Sequence, residues 1–261
     1  MVDIQNQRDN RDVPLQKVGI KGLQYPVKVL DKINGTQNTS CTADLYVNLP
    51  QHFKGTHMSR FIEIFHKYHE DLSMKRFLAM LEEIRKRLDA EQAFGRLTFP
   101  FFIEKKAPVS NQSSMMSYKC TYEGTVNSDS RNFFVSIEVP VSTLCPCSKA
   151  ISLRGAHNQR GLVNIKIQSS SFFWIEDIII LAEKSASTGL YSLLKRSDEK
   201  YVTELAYDNP RFVEDVVREI YIALLDFRCG DGQPINWFSI EAENFESIHN
   251  HNAYAQAEFK S

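Results

Sequence analysis

Two thiols and one imidazole stand close together in the middle of the chain. Cys145 and Cys147 flank Pro146, and His157 follows twelve positions after the first thiol. Thiolate and imidazole are the ligands that borderline-soft transition metals prefer. If residues 135–145 form a strand, alternation points both thiols to one face, and Pro146 ends the strand because it lacks a ladder donor. The spacing therefore predicts a metal or thiol site at a strand end.

More potential ligands lie further along the chain. His249 and His251 are one residue apart, and alternation in an extended segment places both rings on one face. Glu199 lies in a charged run, which is typical of a solvated turn. A cysteine near a strand end is also often only a small buried hydrophobic residue. Residue types alone leave a metal site and these plainer interpretations open.

The elements that must position these groups follow one order in each half of the chain. Alternation and turn residues predict strands, and apolar stripes at helical spacing predict helices. Asn34-Gly35 indicates a turn, Thr56 a helix cap, and Asn209-Pro210 a helix start. The first half has predicted strands at 17–30, 41–49, 95–104 and 117–126 and helices over 58–72 and 74–88. The second half has predicted strands at 133–144, 161–168, 237–242 and 253–259 and helices over 175–185 and 210–226.

Each half thus reads strand-strand-helix-helix-strand-strand, an α+β pattern. Short links between strands imply antiparallel sheets with both helices on one face. The predicted organisation is a loose tail over 1–12, a first ββααββ unit over 13–130 and a second over 131–261. A four-stranded sheet has two open edges, so we expect such units to assemble side by side into an oligomer.

Composition limits the classes of function. The 261 residues are 43% hydrophobic and 24% charged, with a formal net charge of −1, which is ordinary for a globular protein. The near-neutral charge and the lack of a basic stripe disfavour a nucleic-acid partner. The longest apolar stretch is interrupted by Glu176 and Asp177, so no membrane span is expected. Five cysteines without a visible export signal favour a reducing, cytoplasmic location.

Several longer motifs resemble those of the type IB GTP cyclohydrolases. They are Lys17-Val-Gly-Ile-Lys-Gly22, Lys54-Gly-Thr-His-Met-Ser-Arg-Phe61, Leu144-Cys-Pro-Cys-Ser-Lys149, Gly155-Ala-His-Asn-Gln-Arg160, Asp198-Glu-Lys-Tyr-Val-Thr-Glu204 and Glu243-Asn-Phe-Glu-Ser-Ile-His-Asn-His251. The resemblance implies a tandem tunnelling fold, assembly into oligomeric barrels as a homotetramer, and active sites at subunit interfaces. It also implies conversion of GTP and water to 7,8-dihydroneopterin triphosphate and formate, the first step of tetrahydrofolate biosynthesis, with Mn²⁺ or Zn²⁺ as the cofactor.

Roles follow from this resemblance residue by residue. Cys145 is implied as the important catalytic thiol and, with His157, Glu199 and His249, as a metal ligand. A bound metal activates water for attack at purine C8, and we expect His251 to be the general acid that protonates N7.

Substrate contacts are assigned in the same way. Glu214 is implied as the purine anchor, since a carboxylate accepts from both guanine N1–H and N2–H, and Glu246 is a second candidate for a purine or metal-shell contact. Cations for the triphosphate are expected among the residues of the motifs, with Lys149, Arg160 and His57 as the leading candidates.

Four alternatives remain at this point. A related cyclohydrolase forms a cyclic phosphate product, and a deazaguanine nitrile reductase on the same fold uses a thiol nucleophile with NADPH and no metal. The set of His157, Glu199 and His249 disfavours the reductase. A non-catalytic, zinc-stapled module would unfold on chelation. A nucleic-acid binder is the least favoured.

Overall fold

The computed structural model describes residues 9–260, so most of the predicted tail over 1–12 lies outside the described part. The chain divides into two compact units. Unit 1 holds the described residues up to Pro100 together with Thr121–Val135, and unit 2 holds Phe101–Cys120 together with the described residues from Ser136 onward. The boundary between residues 130 and 131, which the repeated order of strands and helices predicts, stays a prediction.

Unit 1 is built on long strands with two helices. Its elements are β1 (Leu15–Asp31), β2 (Gly35–Leu49), α1 (Met58–Tyr68), α2 (Met74–Arg87) and parts of β3 (Ala93–Lys106), β4 (Ser113–Val126) and β5 (Arg131–Leu144). β2 pairs antiparallel with β1 on one side and β3 on the other. From Cys41 to Leu49 every second side chain is buried, which is the period-two pattern of a strand with one covered face.

Helix α2 lies against the sheet of unit 1 at two glycines. A Cβ atom on Gly95 would lie 2.7 Å from Leu81 Cδ2, and one on Gly124 would lie 2.6 Å from Phe77 Cε1. Phe77 and Leu81 are fully buried. Glycine is therefore needed at both positions because the helix side chains occupy the space that any larger residue would fill.

Besides the remaining parts of β3, β4 and β5, unit 2 contains all later elements. They are α3 (Pro146–Ile151), β6 (Asn158–Gln168), α4 (Ile175–Ser185), β7 (Thr188–Gly189), α5 (Arg196–Asp208), α6 (Val213–Asp226), β8 (Trp237–Asn244) and β9 (Ala253–Lys260). β8 pairs antiparallel with β6 and with β9, and β7 pairs antiparallel with β5. α6 packs on β8, β9 and α4 through a fully buried apolar face that includes Val216 and Ile220.

The structure corrects several local predictions. Thr56 does not cap α1, because the N-cap residue is His57, and α1 ends at Tyr68 before the buried Leu72. Asn209-Pro210 does not start α6, since Asn209 is the C-cap of α5 and the N-cap of α6 is Phe212. The second half also has three elements, α3, β7 and α5, beyond the predicted strand-strand-helix-helix-strand-strand order.

None of the helices within residues 9–260 is long and apolar enough to cross a membrane.

Candidate active site

The Cys-Pro-Cys motif forms a strand-to-helix corner. β5 ends at Leu144, and Pro146 is the first residue of α3, where its missing N–H costs nothing. Cys145 is the N-cap, with φ −70° and ψ 117°, and its Sγ accepts a hydrogen bond from the Ser148 N–H at 3.4 Å. The predicted strand end is therefore confirmed. The predicted common face is wrong, because the helix turns the exposed Cys147 away from the pocket that Cys145 lines.

Two hydrogen bonds join this corner to His157. The Cys145 N–H donates to the His157 carbonyl at 3.1 Å, and the His157 N–H donates to Ser148 Oγ at 3.0 Å. These two hydrogen bonds hold Cys145 and His157 side by side although His157 follows twelve positions after Cys145.

The His157 ring has defined neighbours on its Nδ1 side. Nδ1 lies 3.0 Å from Gln159 Oε1, and Gln159 Nε2 donates to Thr143 Oγ1 at 3.0 Å. Glu246 Oε2 lies 3.9 Å from the same Nδ1, and the Glu246 side chain is only 9% exposed. This oxygen is buried and has no hydrogen-bond partner among residues 9–260. A buried oxygen that lacks a donor is a position where a cation or a substrate N–H fits.

His249 and His251 also belong to this region. Their rings stack with centroids 5.2 Å apart and planes 19° apart. The segment around them is a bend and not an extended strand. The predicted extended backbone is therefore wrong. The two exposed rings nevertheless lie side by side at the same pocket.

These groups line one cavity of about 430 Å³ in unit 2. Its wall consists of Cys145, His157, Gln159, Arg211, Phe212, Val213, Glu214, Asn244, Glu246, His249, His251, Ala253 and Tyr254. Six of the residues singled out from the sequence therefore meet here: the thiol, three imidazoles and two carboxylates. However, within residues 9–260 no group of three Cys, His, Asp or Glu side chains lies close enough together, in this conformation, to hold a metal ion.

Four other predicted residues do not line this cavity. Glu199 is exposed in the first turn of α5. Lys149 donates through Nζ to the Tyr207 carbonyl and lies 4.3 Å from the centroid of that ring. Arg160 is exposed at the start of β6. His57 belongs to unit 1, where it lines a separate cavity of about 250 Å³.

Sequence reasoning missed helix α5 and the residue that secures it. Asp198 is completely buried, and its carboxylate accepts from the N–H groups of Val109, Ser110 and Lys195 at 2.8 Å and from the Ser110 hydroxyl at 2.6 Å. Burial raises the pKa of this carboxyl, but the bonds from Ser110, Lys195 and Val109 outweigh burial and hold the pKa well below its ordinary range. An acidic residue three positions after the N-cap was the available signal.

Arg211 is a second residue that was missed. It is the only lysine or arginine among the lining residues of this cavity, and its Nη1 donates to Glu219 at 3.1 Å. Its N–H donates to the Leu144 carbonyl at 3.0 Å, which places it beside the Cys-Pro-Cys corner. Arg211 belongs to no motif with a distinctive spacing, so the sequence held no signal for it.

Comparison with known proteins gives one consistent family. A sequence model described as type I GTP cyclohydrolase folE2 matches residues 1–255. The chain is 53% identical over 258 residues to a GTP cyclohydrolase FolE2 from Syntrophus aciditrophicus, with 99% of each chain covered. It is 51% identical over 255 residues to a GTP cyclohydrolase FolE2 from Thermosipho africanus, with 98% of this chain and 96% of the relative covered.

Solved structures with the same fold are far more distant in sequence. A uricase from Arthrobacter globiformis superposes with a TM-score of 0.53 at 8% identity, covering 94% of this chain and 93% of that one. A hyperthermostable mutant of the Bacillus sp. TB-90 urate oxidase superposes with a TM-score of 0.54 at 10% identity, covering 95% of this chain and 100% of that one. The likeness confirms the α+β tunnelling fold and carries no information on activity.

Proposed function

The chain belongs to the type I GTP cyclohydrolase FolE2 family, and from this premise and the cavity around Cys145 we propose how it acts. It is a GTP cyclohydrolase of folate biosynthesis, the reaction in which GTP and water give 7,8-dihydroneopterin triphosphate and formate. The observation that supports the site assignment is the single cavity that brings together Cys145, His157, His249, Glu214 and Glu246.

The donor types in this cavity fit a divalent cation such as Mn²⁺ or Zn²⁺. The thiol and the imidazoles on the cavity wall offer sulfur and nitrogen ligands, and the buried Glu246 oxygen that lacks a donor makes the wall favourable for a cation. Cys145 and His157 are the fixed members, and the exposed His249 and Glu199 are the predicted members that must move to complete the set. When bound, the cation lowers the pKa of water towards neutrality, which the attack on C8 requires.

The carboxylate of Glu214 orients the purine. It lies in the first turn of α6, on the cavity wall. Its side chain is exposed to the cavity and takes part in none of the hydrogen bonds or ion pairs within residues 9–260, so both oxygens are available to guanine N1–H and N2–H. Adenine presents an acceptor at N1 and would be repelled. Glu214 therefore selects guanine and sets the position of C8.

Proton transfer is assigned to the stacked histidines. N7 must gain a proton as C8 becomes tetrahedral, and imidazole titrates near neutrality. We assign His251 as the acid, and the ring of His249, a predicted metal ligand, stacks on it at 5.2 Å. Arg211 adds a positive charge to the same wall, and Lys149, Arg160 and His57 remain the predicted triphosphate contacts.

The oligomer is also part of the proposal. Among the described strands β1 pairs only with β2, and β9 pairs only with β8. Open strand edges recruit further strands, so a homotetramer that closes the sheets into barrels is expected, with His57 brought to the site from another copy. We place this enzyme in the cytoplasm, where its cysteines stay reduced.

A reconstitution experiment tests this function. Metal-free protein is incubated with GTP, Mn²⁺ or Zn²⁺ is added, and the oxidised product is examined for pterin fluorescence and by mass. Turnover that requires the metal, with the triphosphate intact in the product, is the expected result. A cyclic phosphate product would point to the related cyclohydrolase, and no pterin with any divalent ion would reject the proposal.

The motif offers a matched pair of variants for the same assay. Cys145→Ala should abolish turnover and metal retention, whereas Cys147→Ala should keep both, because only Cys145 lines the cavity. Circular dichroism should be unchanged by chelation, since a metal in an active site is not needed for the fold. Loss of helical signal on chelation would instead indicate a structural zinc.

A further inference from the structure

We infer that Gln159, anchored by Thr143, is a positioning residue that fixes the tautomer and orientation of the His157 ring. The inference deepens the proposed function, since it concerns the imidazole that we assign to the metal. It is carried by a chain of three side chains, in which Thr143 Oγ1 accepts from Gln159 Nε2 at 3.0 Å and Gln159 Oε1 lies 3.0 Å from His157 Nδ1.

The amide of Gln159 has little freedom to turn. Gln159 is 8% exposed and Thr143 is 0% exposed, so each must satisfy its polar atoms within the protein. Thr143 precedes the corner by two residues at the end of β5, and Gln159 is the second residue of β6. His157 directly precedes β6 and Gln159 lies two positions further along, so in an extended chain their side chains project to the same side.

The order of donors and acceptors determines the tautomer. The amide oxygen of glutamine only accepts, so the Nδ1 atom that it faces must carry the ring proton. The neutral ring then has its lone pair on Nε2, the form in which an imidazole binds a metal. Without Gln159 the ring would lose this restraint and would have to reorganise before it could coordinate.

Glu246 does not replace Gln159 in this role. Its Oε2 is 3.9 Å from His157 Nδ1, which is beyond hydrogen-bond distance, and it has no donor among residues 9–260. The carboxylate is thus free to face the cavity, whereas the neutral amide holds the ring. This division predicts different behaviour for variants that keep or remove the acceptor at position 159.

The first measurement observes the tautomer directly in metal-free protein. Proton–nitrogen correlation spectra of the imidazoles are recorded in mildly alkaline buffer, at about pH 8.5. His157 is assigned by its loss in His157→Asn. We expect the Nδ1–H form in the parent protein and in Gln159→Glu, whose carboxylate still accepts, and a mixture of tautomers in Gln159→Leu. An Nε2–H ring in the parent, or an unchanged ring in Gln159→Leu, would overturn the inference.

The second measurement is metal affinity by competition with a chromophoric chelator. Gln159→Leu should bind Zn²⁺ about 10- to 100-fold more weakly, Gln159→Glu should recover most of this loss, and Thr143→Val should give a smaller loss. Gln168→Leu, at the opposite end of β6, serves as the matched control and should equal the parent protein. Equal affinities for Gln159→Leu and the parent would contradict the inference.

The two measurements separate this inference from the proposed function. If the parent protein binds no divalent metal, the proposed metal centre fails while the tautomer spectra still decide the role of Gln159. If Gln159→Leu does not fold, as judged by its melting curve, Thr143→Val provides the same test in the spectra because it removes only the anchor.

Discussion

The replacement Glu214→Gln tests purine recognition with almost no change in shape. A glutamine oxygen still accepts from one guanine donor, but its NH₂ group faces the other donor. Glu214 lies on the cavity wall, and its side chain takes part in none of the hydrogen bonds or ion pairs within residues 9–260, so the replacement breaks no internal interaction and its effect falls on the substrate. The glutamate and glutamine side chains therefore differ only in the hydrogen bonds that they offer to the ligand.

The expected magnitude follows from one lost hydrogen bond to a charged group. Such a bond contributes about 1.5–3 kcal/mol, which corresponds to a fall of about 10- to 150-fold in kcat/KM for GTP. Inosine triphosphate lacks the exocyclic N2 amine, so the parent enzyme should use it less well by a similar factor. In Glu214→Gln the amide NH₂ meets only the C2–H of hypoxanthine, and the preference for GTP should shrink to within about 3-fold.

The assay is pterin formation from both nucleotides at saturating metal. Asp226→Asn, at the far end of the same helix, is the matched control and should behave like the parent. Metal content is measured for each protein so that a lost cation is not mistaken for a lost purine contact. An unchanged ratio of kcat/KM between GTP and inosine triphosphate in Glu214→Gln would refute the role of this carboxylate.

Two further predictions concern the framework around the site. The folded-state pKa of Asp198 is depressed, so its hydrogen bonds stabilise the protein fully above the unfolded pKa of ~3.9 and progressively less as the pH falls below it. Asp198→Asn should therefore lower the melting temperature at pH 7 and reduce the difference in melting temperature between pH 7 and pH 3. A variant whose melting temperature falls with acid as the parent's does would argue against this. Gly124→Ala should lower the free energy of unfolding by about 1–3 kcal/mol because its Cβ would lie 2.6 Å from Phe77 Cε1. Denaturant titration measures this loss, and adding Phe77→Leu to the same chain should restore part of it. If Gly124→Ala is as stable as the parent protein, α2 can shift to make room for the methyl group.

Local sequence patterns determined most of the regular elements. The apolar stripe from Ile175 to Ser185 predicted α4 with the bounds that the structure has, and alternation predicted the buried face of β2. These predictions succeed because a strand or helix that covers a core repeats its apolar residues with the period of its own backbone. The Cys145 and His157 motif was likewise recognisable because its two donors are close in sequence and meet through a strand-to-helix corner.

Tertiary structure decided the features that depend on distant partners. Helix α5 was read as a charged turn because the residue that secures it, Asp198, bonds to Ser110, 88 positions away. Gln159 looked like an ordinary motif residue until Thr143 and His157 were seen on either side of it. A buried polar group takes its role from the donor or acceptor that it meets, and that partner is chosen by packing between elements, which no local period records.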